Sequence, residues 1–138
     1  PPLKANLRPD KGRDKAYPTD PGWISYFSGH TGPAPTQDAI GHAAESVLVD
    51  HTRRLQFNII GNTQLPIGYV AEPEVDVAAS LGDHWLLLEA KYRANPHATF
   101  GEVGGEDDVR IVATRDTWQL NPAPGSHYIP AHEFALIC

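Results

Sequence analysis

The chain of 138 residues lacks methionine and has a single cysteine, Cys138, at its last position. A lone cysteine excludes an internal disulfide framework, and a thiol nucleophile at a chain end is not expected. The longest wholly apolar runs are four or five residues, so no membrane-spanning segment and no membrane partner are predicted. Residues 1–15 contain no apolar stretch of a signal peptide. Without a start methionine, we expect a piece of a longer or processed polypeptide.

Positive charge is also scarce, because 11 lysines and arginines face 17 aspartates and glutamates, for a net charge of −6. This balance argues against general adhesion to nucleic acid or anionic membranes. Five basic and two acidic side chains give residues 1–15 a local charge of +3, so residues 16–138 carry −9. The basic stretch fits a phosphate-contacting arm or a solvated linker, and composition favours the linker.

Two regions differ in composition along the chain. Residues 1–35 are rich in proline, glycine and basic side chains and predict an irregular arm, whereas residues 36–138 carry the periodic patterns of one folded domain. Within that domain, apolar positions recur at helical spacing over 37–55. Thr36 is the predicted N-cap, and Asp38 in the first turn complements the helix dipole.

Short alternating or apolar segments after this helix predict strands. The predicted strands cover residues 57–60, 67–71, 74–79, 84–92 and 109–114, with a short last strand or helical turn over 134–138. Glycine, proline and acidic residues over 93–108 predict a loop. A helix followed by several strands is typical of an α/β fold with a mixed or antiparallel central sheet.

Two acidic residues and a lysine fall on two of these predicted strands. A hairpin turning at Leu81-Gly82 makes Asp76 and Glu89 diagonal neighbours, because paired positions then sum to 163. Lys91 follows Glu89 by two residues, so alternation places all three side chains on one face. A register shift of two residues preserves this arrangement, and a shift of one destroys it.

Burying two carboxylates and an ammonium group is costly unless they have a partner or a task. Carboxylate oxygens suit Mg²⁺ or Mn²⁺, and a lysine beside the ion could activate a water for attack on phosphorus. A lone Glu-x-Lys is more often a solvated strand edge with a weak ion pair. The apolar run Leu86–Leu88 immediately before Glu89 indicates a central strand and favours the functional interpretation.

The order of helix, Asp-bearing strand and Glu-x-Lys strand resembles the PD-(D/E)xK nuclease superfamily, which has a restriction-endonuclease-like fold. The resemblance covers residues 37–92 and continues weakly through 109–114. Its pattern differs here in two ways, because Val75 rather than proline precedes Asp76, and many members have a helix where 93–108 predicts a loop. The matching residues are Glu45 on the helix, Asp76 on its strand, and Glu89 and Lys91 in Glu-Ala-Lys.

The resemblance implies an endonuclease that depends on Mg²⁺ or Mn²⁺. Asp76 and Glu89 would bind the metal, and Glu45 would contribute through a second metal or a bound water. Lys91 would orient and activate the attacking water. Arg93 lies two residues beyond Lys91 and is the predicted substrate-binding residue, through a phosphate group.

A small nuclease domain with a Pro/Gly-rich entry also resembles the C-terminal toxin domains of bacterial polymorphic, contact-dependent or type VI secreted effectors. This implies a secreted or delivered effector domain that cleaves DNA or RNA in the target-cell cytoplasm and is held in check by a cognate immunity protein. Acidic clusters at residues 72–76 and 106–108 predict an inhibitor with a basic surface. The alternative is a non-catalytic protein-interaction domain in which the same acids pair with Lys91 and neighbouring arginines.

Overall fold

A five-stranded mixed sheet with a long helix against one face makes up most of the described chain. The computed structural model describes residues 3, 17, 18, 20, 22, 36–61, 64–93, 95–121 and 125–137. The predicted α/β class is confirmed, and of the two predicted sheet types, mixed or antiparallel, the sheet is mixed. The elements are α1 (Gln37–Leu55), a π-helical turn (Gln56–Ile60), β1 (Ile67–Val70), β2 (Val75–Ser80), β3 (Trp85–Lys91), β4 (Val109–Thr114), β5 (His127–Pro130) and α2 (Ala131–Phe134).

Helix α1 has the predicted bounds and the predicted N-cap. Thr36 is extended, and its side-chain oxygen accepts a hydrogen bond from the Ala39 backbone N–H at 3.2 Å, which satisfies one of the free donors of the first turn. Asp38 lies in that turn and Arg53 and Arg54 lie in the last, so both helix ends carry charges that favour the dipole.

The strand predicted at 57–60 is wrong, because the chain continues from α1 as a π-helical turn that ends at Gly61. A short apolar run does not distinguish strand from helix. The buried Gln56 ties this turn to the sheet by donating from Nε2 to the Ser80 carbonyl at 2.9 Å. Gly61 ends the turn in the left-handed conformation, with φ of 71°, which glycine adopts without a steric penalty.

The strands lie in chain order across the sheet, and the pairing changes once, from antiparallel to parallel. Strands β1, β2 and β3 are antiparallel neighbours, whereas β3–β4 and β4–β5 are parallel. The described residues of the predicted loop, 93 and 95–108, contain no helix or strand. Strand β5 was not predicted, and the terminal segment forms the helical turn α2 three residues earlier than expected.

Both faces of the sheet are covered, which makes β3 a buried central strand as its apolar run predicts. On one face, α1 and α2 pack on a cluster that includes Leu48, Leu88 and Phe134. On the other face, Phe100 and Val103 of the loop before β4 pack on residues of β2, β3 and β4. No helix in the ranges given above has the length and hydropathy that crossing a bilayer requires.

The predicted arm over residues 1–35 falls mostly outside the described residues, and so do the five lysines and arginines of residues 1–15. Two described residues of this region contact the domain. Leu3 packs against the cluster on the face away from α1, and the Tyr17 hydroxyl donates to Glu45 on α1. Part of the region therefore lies against the domain.

His51 on α1 is a buried titratable group between the helix and the C-terminal turn. Its ring meets the Phe134 ring edge-on, with centroids 5.0 Å apart. Burial lowers the pKa of His51 below its ordinary value of 6.5, despite a hydrogen bond with the Phe134 backbone. Acid therefore favours unfolding, because below about pH 6.5 the unfolded chain binds a proton that the folded chain resists.

We expect the urea midpoint of the wild-type protein to fall as the pH drops from about 7.5 to about 5, and His51→Gln to remove part of this fall. Each unit of pKa difference contributes about 1.4 kcal/mol. His42→Gln, at an exposed position of the same helix, is the matched control. Its urea midpoint should fall with pH as much as that of the wild-type protein. A His51→Gln slope equal to that of wild type would contradict a buried neutral imidazole.

Candidate active site

The pairing of β2 with β3 brings the two predicted acids to the same end of the ladder, one residue beyond its last pair. The ladder pairs Val77 with Leu88 and Ser80 with Trp85, so paired positions sum to 165 and the predicted register is wrong by two residues. The hairpin loop has four residues, 81–84, and is closed by a hydrogen bond from the Leu81 N–H to the His84 carbonyl at 2.8 Å. A shift of two keeps the parity of β3, so Glu89 and Lys91 stay on one face, the face that Leu87 shares. The same parity does not extend to Asp76, which lies beside an irregularity in β2.

A β-bulge in β2 sets the direction of Asp76. The β1–β2 ladder pairs Gly68 with Ala78 and Val70 with Val75. Asp76 and Val77 therefore both lie opposite Tyr69, and strict alternation does not hold across this point. Bulges bend the strand and re-aim a side chain, and they are common beside active sites.

The carboxylates of Asp76 and Glu89 bridge the strand ends where the regular ladder stops. Asp76 Oδ2 accepts a hydrogen bond from the Ala90 backbone N–H at 2.8 Å, and Glu89 Oε2 accepts one from the Asp76 backbone N–H at 3.3 Å. Lys91 Nζ donates to Glu89 Oε1 in an ion pair. These contacts hold Asp76, Glu89 and Lys91 in one continuous cluster.

Both acids are buried, and the lysine reaches solvent. Asp76 is 5% exposed and Glu89 3%, while the Lys91 side chain is 24% exposed. Burial raises the pKa of Glu89 above its ordinary value of 4.5, the hydrogen bond and charge of Lys91 oppose this, and the charge of Glu74 adds to it. A buried carboxyl with a perturbed pKa and a specific charged partner is typical of a functional site.

A cavity of about 150 Å³ opens beside this cluster. It lies between α1 and the first two strands, and its polar wall comes from Tyr17, Arg53, Tyr69 and Asp76. Neither tyrosine was among the predicted site residues. No spacing rule connects Tyr17 with β2. Tyr69 lies two residues beyond Ile67 on β1, and both line the cavity.

Glu45 and Arg93 lie apart from the central cluster. Glu45 Oε2 accepts a hydrogen bond from the Tyr17 hydroxyl at 3.4 Å, so it reaches the cavity through that tyrosine. Arg93 is exposed, and its Nη2 donates to the His97 carbonyl at 3.4 Å. Among the described residues, no three His, Cys, Asp or Glu side chains form a group that could hold a metal.

One member of the predicted acidic cluster at 106–108 has an internal role. Asp108 Oδ1 accepts from the Trp85 N–H at 2.8 Å, and Oδ2 accepts from the Gly105 N–H at 2.6 Å. Arg110 donates to the Gly105 carbonyl at 2.7 Å. Asp108 and Arg110 therefore fix the loop to the start of β3, which leaves Glu106 and Asp107 as the exposed acids of that cluster.

Three of the five predicted site residues are thus linked, because the Asp76 backbone N–H donates to Glu89 and Lys91 pairs with Glu89. Of the three, Asp76 lines the cavity. The function of the chain has to be inferred from this cluster. Comparisons with protein-family models, curated proteins and solved structures found no match to the chain.

Proposed function

We propose that this chain is a metal-dependent nuclease that hydrolyses phosphodiester bonds of DNA or RNA. The supporting observation is the continuous cluster of Asp76, Glu89 and Lys91 on two neighbouring strands, with both acids buried. Its arrangement agrees with the resemblance to the PD-(D/E)xK superfamily, which needs the Asp strand beside the Glu-x-Lys strand. Helix α1 precedes both strands and carries Glu45.

The donor set of the cluster fits a hard divalent cation. Mg²⁺ is commonly bound by one or two carboxylates, with waters and substrate phosphates as its other ligands, and Asp76 and Glu89 would be the two carboxylates. Burial disfavours the Glu89 anion, so a nearby cation relieves an existing cost. When bound, Mg²⁺ or Mn²⁺ supplies Lewis acidity that offsets the charge developing on the phosphate oxygens.

The residues of the cluster hold one another in position before a substrate binds. The backbone of Asp76 orients Glu89, the Asp76 carboxylate is held by the Ala90 N–H, and Glu89 orients the Lys91 ammonium. Lys91 is the one member of the three that reaches solvent, so it is the group placed to orient a water and a phosphate oxygen. Such preorganisation lowers the cost of reaching the transition state. The role of Glu45 through a second metal or a water stays a prediction.

One observation favours the alternative of a non-catalytic interaction domain. Both oxygens of Glu89 already accept hydrogen bonds, as they would in a purely structural ion pair. Metal binding separates the two proposals, because a structural pair has no need of a divalent ion. Delivery as a bacterial toxin, action in the target-cell cytoplasm and neutralisation by a cognate immunity protein stay predictions of the resemblance.

We expect Mg²⁺ or Mn²⁺ to raise the melting temperature of the wild-type protein. A ligand that binds only the folded state stabilises it by about 2.7 kcal/mol at a hundredfold excess over Kd. Asp76→Asn and Glu89→Gln should each abolish most of this gain, because each removes one anionic ligand.

The control for this titration is Asp83→Asn, which neutralises an exposed acid in the hairpin loop. Its melting temperature should rise with the metal as much as that of the wild-type protein. K⁺ at matched ionic strength accounts for general screening of charge. An equal shift in wild type and both site variants, or no shift in any of them, would contradict a metal site at this cluster.

A further inference from the structure

The cavity beside Asp76 has a size that limits what can enter it. Its volume is about 150 Å³, and an engineered protein cavity of about this volume binds benzene. One six-membered ring therefore fills it, and a stacked base pair does not fit. Any ligand of this cavity has to present a single small ring or a group of similar size.

The wall of the cavity combines the groups that proteins use to hold an unpaired base. Tyr17 and Tyr69 contribute aromatic rings, Arg53 contributes a guanidinium group, and Val49 and Ile67 contribute aliphatic surface. Aromatic and arginine side chains stack on the faces of unstacked bases in single-stranded nucleic acids. Arg53 is exposed, so it lies at the rim, where it can also meet a phosphate.

The position of Asp76 connects the cavity to the proposed catalytic cluster. Asp76 lines the cavity, and its backbone N–H donates to Glu89. A nucleotide with its base in the cavity would therefore have its backbone next to Asp76, whose neighbour on β3 is Glu89. The net charge of −6 disfavours a broad grip on duplex phosphates, so local contacts to one base have to provide much of the recognition.

We propose that this cavity binds one unstacked base, of pyrimidine size, and that the substrate is consequently an unpaired strand. The proposal rests on the nuclease function proposed above and adds its substrate class. A duplex has to break pairing and stacking to deliver a base, whereas a single strand does not. Single strands therefore bind more tightly than duplexes of the same length.

The test measures binding of a fluorescent oligothymidylate and of a hairpin duplex to the full chain with Mg²⁺, in a Lys91→Ala background so that the probes survive. Val49→Phe fills the cavity and should weaken oligothymidylate binding by about fivefold to a hundredfold, the range for losing one base stack. Arg53→Gln should lower the log–log salt slope for the single strand by about 0.7. Arg54→Gln, at an adjacent exposed arginine that pairs with Asp50 at 2.7 Å, is the matched control and should change neither.

Thermal unfolding shows whether each variant is folded. If Val49→Phe is unstable, the salt slope of Arg53→Gln, which changes an exposed side chain, decides the outcome. Equal affinity for the single strand and the duplex would overturn the base site. So would an oligothymidylate affinity of Val49→Phe and a salt slope of Arg53→Gln that both equal those of Arg54→Gln. If the protein with its native Lys91 cleaves nucleic acid while the cavity variants bind like the control, the nuclease function stands and the base site fails. If binding depends on the cavity but the Lys91-containing protein never cleaves with Mg²⁺, the base site is supported and the nuclease fails.

Discussion

Lys91→Ala and Glu89→Gln are each expected to lower the rate of nucleic-acid cleavage by about 10²- to 10⁴-fold. Lys91 is the partly exposed cation of the cluster, and Glu89 both orients it and supplies a metal ligand. The measurement is cleavage of single-stranded and duplex substrates with Mg²⁺ under single-turnover conditions. The rate should also fall with acid, because protonation of Glu89, whose pKa is raised by burial, removes the anion that binds the metal.

Stability measurements on the same variants separate a catalytic role from a structural one. Because the pKa of Glu89 is raised in the folded protein, its charged form disfavours the fold above that pKa, and a neutral glutamine does not. Glu89→Gln is therefore expected to unfold in metal-free buffer at the wild-type temperature or above it, while it is inactive. A structural ion pair would instead lose stability when it is broken.

Arg115→Ala is the control for charge, because it removes an exposed cation just beyond β4 whose partner is the exposed Asp116. We expect it to retain wild-type cleavage. Wild-type turnover by folded Lys91→Ala or Glu89→Gln would end the assignment of these residues to catalysis.

Phe134→Ala is expected to lower the free energy of unfolding by about 3–5 kcal/mol. Phe134 is 1% exposed, belongs to the core cluster shared with α1, and meets the His51 ring. Removing its ring leaves a cavity between α2 and α1 that the surrounding residues cannot fill. Urea unfolding followed by circular dichroism measures the loss.

Leu136→Ala is the matched control, because Leu136 lies two residues further on and is 79% exposed. Its effect should stay within about 0.5 kcal/mol. Phe134→Ala should also weaken the acid sensitivity assigned to His51, since water then reaches the imidazole. A loss below about 1 kcal/mol would show that α2 does not close the core.

Helix α1 and strands β2 to β4 could be predicted because local patterns specify them. Thr36 caps the helix by a bond three residues away, and the apolar run before Glu89 forms a strand that is buried on both faces. The turn at Gln56–Ile60 was missed because a short apolar run fits a strand or a helix, and its Gln56 side chain bonds to Ser80, 24 residues away. Strand β5 was missed because it is four residues long and pairs with β4 across a long stretch of sequence.

By itself, the sequence determined which charged residues lie on the two neighbouring strands, because the alternating and apolar patterns that mark each strand are local. The tertiary structure decided the contacts. A four-residue hairpin loop set the register that brings the Asp76 backbone within hydrogen-bond distance of Glu89. The bulge opposite Tyr69 lies at Asp76, which lines a cavity shared with α1. Loop closure and bulges depend on how the backbone packs against distant elements, and no spacing along the chain encodes that packing.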